Sequence, residues 1–212
     1  MSNSIIVPAR VFSAIALFRA VKDVRYYLTG VMLQTGPTGA FLVATDGHAI
    51  SVGRVDTTER PFGQFILPAD TVAMLAKIKP TRTLKDPTIE FVLPDGFADK
   101  YNNKDRRQIT IKHPMGQMIV AELEGVFPDW VRVCKPADGP TDVPVFYDPR
   151  YIARVADAAA IIYKPKYPPQ IRPTGTSPGY AQLDIQGDVG AWVAPIRGDV
   201  CELPICPAWM HP

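Results

Sequence analysis

The side chains in this sequence that could take part in acid–base chemistry lie in one short turn. Asp46 and His48 stand two residues apart in Thr45-Asp46-Gly47-His48, and a carboxylate beside an imidazole can act as an acid–base pair. The sequence places no nucleophile in a matching context, and it contains no glycine-rich phosphate loop. Taken alone, these residues favour a hydrogen-bonded β corner, with Asp46 holding the turn and Gly47 supplying a positive φ.

A second cluster lies near the C-terminus, where Cys201, Cys206 and His211 are close in sequence. A zinc site there would need another ligand and a better-defined spacing. Together with Cys134 the chain has three cysteines, an odd number that is typical of free thiols. We therefore expect free thiols, no metal and no cofactor.

The composition is that of an ordinary soluble globular protein. The 212 residues are 47% hydrophobic and 21% charged, and a chain of this length can build one large or two small domains. A net charge of +2 gives no strong electrostatic argument for nucleic acid binding. No apolar run approaches the ~20 residues of a membrane span, and the N-terminus lacks a signal-peptide pattern, so we expect a cytoplasmic protein.

A short apolar strand that runs into a proline and a helical pattern occurs three times. The three openings are IIVPAR at 5–10, FILPAD at 65–70 and VFYDPR at 145–150. Proline suits the first helical turn, and Asp148 is a good N-cap. The repeat predicts three β-α-β-β-β units, with helices over about 8–22, 69–79 and 149–162. On the first helix, one apolar stripe holds Val11, Ala14, Leu17, Phe18 and Val21, and another face holds Phe12 and Ile15.

Several segments resemble one known family. DVRYYLTG at 23–30, LVATDGHAISV at 42–52 and FILPADTVAML at 65–75 resemble the middle domain of the bacterial β sliding clamp, the processivity subunit of DNA polymerase III. EGVFPDWVRV at 124–133 resembles the exit from that domain, and 145–197 is similar to the second half of the last clamp domain. The resemblance implies an α+β fold with the DNA-clamp architecture: repeated β-α-β-β-β units with antiparallel sheets and helices on one face.

The resemblance also implies a division of the chain. Residues 1–134 would form a complete clamp-like domain with units at about 5–60 and 64–125, followed by a linker at 135–143. A half domain would cover 144–198, and 199–212 would be an irregular tail. The family's first domain and the first half of its last domain are missing, which suggests a phage, prophage or plasmid product. A ring of the family's twelve units would need four such chains.

In the family, short linear motifs of polymerases and clamp loaders dock in a cleft between the middle and last domains. Carried over to matching positions, the cleft lining falls on Leu28, Thr45, Gly47, His48, Ile50, Pro128, Val133, Trp192, Val193, Ala194, Pro195, Ile196 and Arg197. Two departures put the motif preference in doubt: Ala49 stands where the family commonly has arginine, and Trp192 is unusually bulky. The aliphatic members could instead be core residues, and Trp130 and Trp192 could be either core residues or interface anchors.

Basic residues on or just after the three helices are the candidates for facing DNA. They are Arg10, Arg19, Lys22, Lys77, Lys79, Arg82, Arg150 and Arg154. In a clamp such residues would contact phosphates without reading the base sequence. The alternative is an ordinary solvated face, and Phe12 and Ile15 argue against a clean polar channel wall.

From the residues and the resemblance together, we expect a non-enzymatic, sliding-clamp-like replication protein. Its cleft between the first and third units would bind linear motifs of DNA polymerase or clamp-loader type proteins. The alternatives are a homo-oligomeric processivity factor that encircles double-stranded DNA, and a structural scaffold with neither activity. The tail, which carries Leu203, Ile205 and Trp209, could fold back over the cleft.

Overall fold

The structure is a computed structural model and describes residues 4–97, 107–134, 145–163, 169–174, 177–183 and 187–196. The strands are β1 (Ser4–Pro8), β2 (Val31–Gly36), β3 (Gly39–Thr45), β4 (Ala49–Asp56), β5 (Gly63–Leu67), β6 (Thr88–Val92), β7 (Gln108–His113), β8 (Gly116–Ala121), β9 (Arg172–Thr174), β10 (Ser177–Gln182) and β11 (Val189–Val193). The helices are α1 (Ala9–Ala16), α2 (Ala69–Leu75), α3 (Trp130–Val133) and α4 (Pro149–Ile162), and a 3₁₀ helix covers Tyr26–Thr29.

The first two units exchange their opening strands. The four-stranded sheet has the order β1-β6-β7-β8, so β1 leaves its own unit and pairs with β6 of the next. In return β5 pairs with β2 at the edge of the seven-stranded sheet, whose order is β5-β2-β3-β4-β11-β10-β9. Every strand pair in the described residues is antiparallel, as expected for the predicted α+β fold.

The third unit continues the sheet of the first unit. Strand β11 pairs with β4, which places Trp192 opposite Ile50 and Val193 opposite Ala49. On the helix side of the sheet, α4 packs against α1. We call the β4–β11 junction the seam, because it joins segments more than a hundred residues apart.

The first helix is shorter than the sequence predicted. It ends at Ala16 instead of near Lys22, since the chain tightens there and the Ala20 N–H bonds to the Leu28 carbonyl at 2.9 Å. The second helix ends at Leu75 rather than Lys79. The third predicted helix is α4, and its bounds agree with the prediction. The Asp148 side chain caps α4 by accepting a hydrogen bond from the Arg150 N–H.

The predicted apolar stripe of the first helix was wrong in part. Phe12 and Ile15 are fully buried, whereas Val21 is 79% exposed and Leu17 is 39% exposed. Leu17 and Val21 lie beyond the end of α1 at Ala16, so the helical period does not apply to them. Phe12 and Ile15 are buried because α1 contacts strands on one side and α2 and α4 on others.

Two clusters of buried side chains cover the two faces of the seven-stranded sheet. The larger lies on the helix side and draws residues from all three units, including Ile15, Phe91 and Val155. The smaller lies on the opposite face, where Leu28 and Phe127 cover Ile50 and Val52. Side-chain alternation along β4 therefore sends Ala49 to one cluster and Ile50 to the other. The candidate site lies on this second face.

Candidate functional site

The turn between β3 and β4 satisfies its own polar groups. Gly47 has a φ of +92°, as predicted for this corner. The Thr45 hydroxyl donates to the Ala49 carbonyl at 2.8 Å and accepts from the Gly47 N–H at 3.0 Å. Asp46 Oδ1 accepts from the N–H groups of His48 and Ala49 at 2.9 and 3.0 Å. The predicted role of Asp46 in holding the corner is thus confirmed.

The same turn also contacts the third unit through an ion pair, a ring stack and a backbone hydrogen bond. Asp46 Oδ2 accepts from Arg154 Nη1 of α4 at 2.6 Å. The His48 ring stacks on Tyr151 of α4, with ring centroids 5.9 Å apart and an interplanar angle of 23°. The Ala194 N–H donates to the His48 carbonyl at 2.8 Å. Both Asp46 oxygens are therefore engaged by groups other than the imidazole, which argues against an acid–base pair.

A cavity of about 280 Å³, here called the seam cleft, opens beside this turn. It is lined by Arg25, Tyr27, Leu28, Thr45, Gly47, His48, Ala49, Ile50, Pro128, Trp130, Val133, Pro178, Trp192 and Ala194. The first unit, the connection after β8 and the third unit each contribute side chains. Leu28 and Ile50 are almost fully buried and form the floor, while Val133 is 43% exposed at the rim.

Nine of the thirteen residues expected in the cleft line this cavity. Of the other four, the three that the structure describes, Val193, Pro195 and Ile196, do not. The expectation that Val193 lines the cleft was wrong. Alternation along β11 turns its side chain into the helix-side core, where it has no exposed surface. Pro195 and Ile196 lie past the cavity, where the Ile196 N–H donates to the Phe146 carbonyl at 2.8 Å. Arg197 and the tail residues Leu203, Ile205 and Trp209 lie outside the described residues.

Five lining residues were not among the thirteen carried over from the family, although Trp130 had been considered as an interface anchor. Arg25 and Tyr27 belong to the DVRYYLTG segment, so the resemblance could have led to them. Trp130 is held by a 2.9 Å hydrogen bond from its Nε1 to Gln34 Oε1. Its ring lies 5.4 Å from that of Phe41. The last two are Ala49, named above only as a departure from the family pattern, and Pro178, which no local signal in the sequence indicated.

The rim of the seam cleft carries a fixed ion pair. Arg25 Nη2 lies 2.7 Å from Asp23 Oδ2 and also donates to the Asp46 carbonyl at 3.2 Å. Hydrogen bonds from the Arg25 side chain lower the pKa of Asp23 to about 2. Because the folded-state pKa is depressed, the pair is intact above about pH 4 and is lost as the pH falls toward 2. Arg25 therefore keeps its position at neutral pH.

A second cavity of about 500 Å³ lies on the same face of the sheet and shares Trp130 and Trp192 with the seam cleft. Tyr180 packs against Trp192 with centroids 4.9 Å apart. An Arg54–Asp188 ion pair of 2.9 Å also borders it. Burial raises the pKa of Cys134, another lining residue, to about 12, so this thiol stays protonated at neutral pH and is a poor nucleophile.

The candidate DNA-facing residues divide into two groups. Arg154, Arg150 and Arg10 contact carboxylates of Asp46, Asp148 and Asp86 at 2.6, 2.6 and 3.6 Å, respectively. Arg19 donates to the Thr29 carbonyl at 3.2 Å. The other four are Lys22, Lys77, Lys79 and Arg82, which are exposed and contact no carboxylate within the described part of the chain.

Within the described ranges, no three His, Cys, Asp or Glu side chains come together as a metal site would require. Cys201, Cys206 and His211 lie outside those ranges. None of the helices that the structure describes has the length and apolar character to cross a membrane.

Comparison with solved structures finds bacterial sliding clamps. A DNA polymerase sliding clamp from Pseudomonas aeruginosa, solved with a ligand, matches with a TM-score of 0.61 and 18% identity, covering 92% of this chain and 66% of that chain. The sliding clamp from Bacillus subtilis matches with a TM-score of 0.61 and 14% identity, covering 92% and 64%. A putative DNA polymerase III beta subunit from Eubacterium rectale matches with a TM-score of 0.55 and 12% identity, covering 92% of this chain and 65% of that chain. This chain thus spans just under two thirds of the length of these proteins.

Sequence comparison gives an independent result. Curated proteins yield no match to the chain. The family model of the DNA polymerase III beta subunit central domain matches residues 4–129, which is more than half of the sequence and includes the exchanged strands and the Thr45–His48 corner. The chain therefore belongs to the DNA polymerase III beta subunit family.

Proposed function

We propose that this protein is a non-enzymatic, clamp-like replication protein whose seam cleft binds short linear motifs of DNA polymerase or clamp-loader type proteins. Family membership supports the clamp-like role. The observation that carries the proposal is the convergence of the first and third units on one cavity with an apolar floor. An apolar groove of this kind suits a hydrophobic linear motif.

The dimensions of the cleft favour side chains over a whole small molecule. Its volume of about 280 Å³ lies at the lower limit of the ~300–1,000 Å³ typical of ligand pockets. One or two apolar side chains of an extended peptide would fill it. Trp130 and Trp192 would provide large, rigid contact surfaces, since tryptophan is enriched among residues that dominate binding energy.

The charge at the rim gives the peptide an orientation. Arg25 is 46% exposed at its side chain and is held beside the turn by Asp23. A guanidinium in this position can still donate to a peptide carbonyl or carboxylate. We therefore expect peptides with an acidic residue next to the apolar side chain to bind more tightly than peptides with a basic residue at that position.

The test is a titration of a fluorescently labelled clamp-interaction peptide, followed by anisotropy. Val133→Asp places a charge at the apolar rim of the cleft and should weaken binding by roughly tenfold or more, because the carboxylate would lose solvation in the complex. Val131→Asp is the matched control, since Val131 is 57% exposed on the same short helix and does not line the cleft.

Equal affinity of the two variants, or no binding by the unaltered protein, would contradict the proposal. Circular dichroism of both variants distinguishes loss of binding from loss of fold.

A second candidate function is non-specific contact with double-stranded DNA. A cavity of about 480 Å³ beside α1, α2 and α4 is lined in part by Arg10, Lys79 and Lys85, and Lys77 and Arg82 are exposed nearby in sequence. Phosphate contacts would make the affinity fall steeply with salt. Lys79→Glu should then weaken duplex binding measured at low salt, and binding unaffected by salt would count against this function. A scaffold would bind neither ligand.

A further inference from the structure

Most exposed edges of the two sheets are protected within the chain. At the β5 edge, the Gln64 carbonyl accepts from Arg107, and the Ile66 carbonyl accepts from the Leu123 N–H at 2.9 Å. Strand β9 has only three residues, and one of them is a proline. Short strands, proline and covering segments are the devices that keep an edge from pairing with another chain.

The β1 edge is protected in a similar way. Its first carbonyl, on Ser4, accepts from Arg60 Nη2 at 3.1 Å. The strand ends at Pro8, which has no N–H to offer to another strand. Proline and a side-chain donor thus occupy both ends of this strand.

Strand β8 has none of these protections. Its sequence, GQMIVA, contains no charge and no proline. The Glu122 N–H bonds back to the Arg107 carbonyl on the β7 side at 2.8 Å. Because the backbone alternates, the N–H and C=O groups of Gln117, Ile119 and Ala121 point away from β7. In the described portion of the chain these outward groups have no hydrogen-bond partner, and Ile119 is 70% exposed.

The equivalent strand of the third unit is paired. Strand β11 is the last of its unit, as β8 is of the second, and its outer edge bonds to β4. Strand β4 has β3 on its other side, so it has no free edge for the β8 of another molecule. Another β8 strand does have a free edge of the same length.

We propose that β8 pairs antiparallel with β8 of a second copy of this chain, about a two-fold axis at Ile119. In this register Ile119 faces Ile119 of the second copy, and Gln117 faces Ala121, so the outward N–H and C=O groups of both strands meet. Met118 then faces Val120. No charged residue lies within the five positions 117–121 that pair in this register, which avoids the repulsion of like charges at a self-complementary pair.

This pairing would join the two four-stranded sheets into one of eight strands and cover the exposed Ile119 side chains. It leaves the seam cleft, on the other sheet, open in both copies. The inference goes beyond the proposed function and does not depend on it.

Sedimentation velocity over a dilution series tests the proposal. The unaltered protein should show a monomer–dimer equilibrium. Ile119→Lys sets two ammonium groups face to face on the axis, and we expect the dimer dissociation constant to rise by roughly tenfold or more. Ile6→Lys is the matched control, because Ile6 is 58% exposed on the same face of the same sheet but at the opposite edge strand. That variant should dimerise normally.

A second measurement does not rely on a charged variant that could fail to fold. Ile119→Cys should form a disulfide-linked dimer under mild oxidation, since directly opposed residues have Cα atoms ~5.5 Å apart, within the range of a disulfide. Thr110→Cys, on the neighbouring strand opposite Ile119, should give no more linked dimer than the unaltered protein.

A chain that remains monomeric at its highest soluble concentration would overturn the proposal. So would a dimer that tolerates Ile119→Lys, or an assembly of four chains, because a two-fold β8 pair leaves no second β8 edge to extend it.

Discussion

Asp46 uses its two carboxylate oxygens for different tasks: Oδ1 closes the turn and Oδ2 binds Arg154 of α4. Asp46→Ala removes both and should lower the free energy of unfolding by about 2–3 kcal/mol, the range for hydrogen bonds that involve a charged group. Asp46→Asn keeps one acceptor for the turn, so its loss should be smaller. Urea denaturation measures both. Equal losses would show that the turn bonds contribute nothing to stability.

The residue types predicted the hydrogen-bonded turn at Thr45–His48, but they did not predict which residues of the third unit contact it. Glycine at position 47 and a short acidic side chain at 46 are sufficient to predict the turn. The Arg154 contact could not be predicted, because the two residues are 108 positions apart and local spacing contains no information about their approach. Conversely, alternation alone could have excluded Val193, since its neighbour Trp192 must face the opposite side of the strand.

The hairpin that joins β2 to β3 depends on one of its two glycines. Gly39 has a φ of +119°, and a Cβ there would meet the Asp56 carbonyl. We expect Gly39→Ala to lower the free energy of unfolding by roughly 2 kcal/mol or more, because a strained backbone and a backbone clash act together. Gly36→Ala is the control, since nothing lies within 4 Å of the added atom. Thermal denaturation that ranks the two variants equally would contradict this.

At the scale of elements, the sequence predicted strand–proline–helix openings better than it predicted where each element ends or pairs. Proline at position 8 indicates the start of α1. Its end at Ala16 is determined by the bond between Ala20 and Leu28, a tertiary contact. The exchange of β1 and β5 has no local signal either, because each strand has the same alternating pattern whichever sheet it joins.

The whole molecule has a core that crosses the boundary between the first and third units. Val155 of α4 and Ala191 of β11 belong to the same buried cluster as Ile15 of α1. The proposed division into a domain of 1–134 and a half domain of 144–198 stays a prediction. These shared contacts nevertheless lead us to expect one cooperative unit, because neither side can lose its packing without exposing the other.

Val155→Ala tests this cooperativity, because Val155 is 1% exposed and its truncation leaves a cavity in the shared core. We expect a loss of roughly 1–3 kcal/mol in the free energy of unfolding. In hydrogen exchange, the slowest amides of β3 and β11 should lose protection by the same factor, although only β11 belongs to the third unit. Ile152→Ala, at a position 38% exposed on the same helix, should have a smaller effect. Loss of protection confined to α4 and β9–β11 would mean that the third unit unfolds independently, and the seam cleft would then lose one wall without global unfolding.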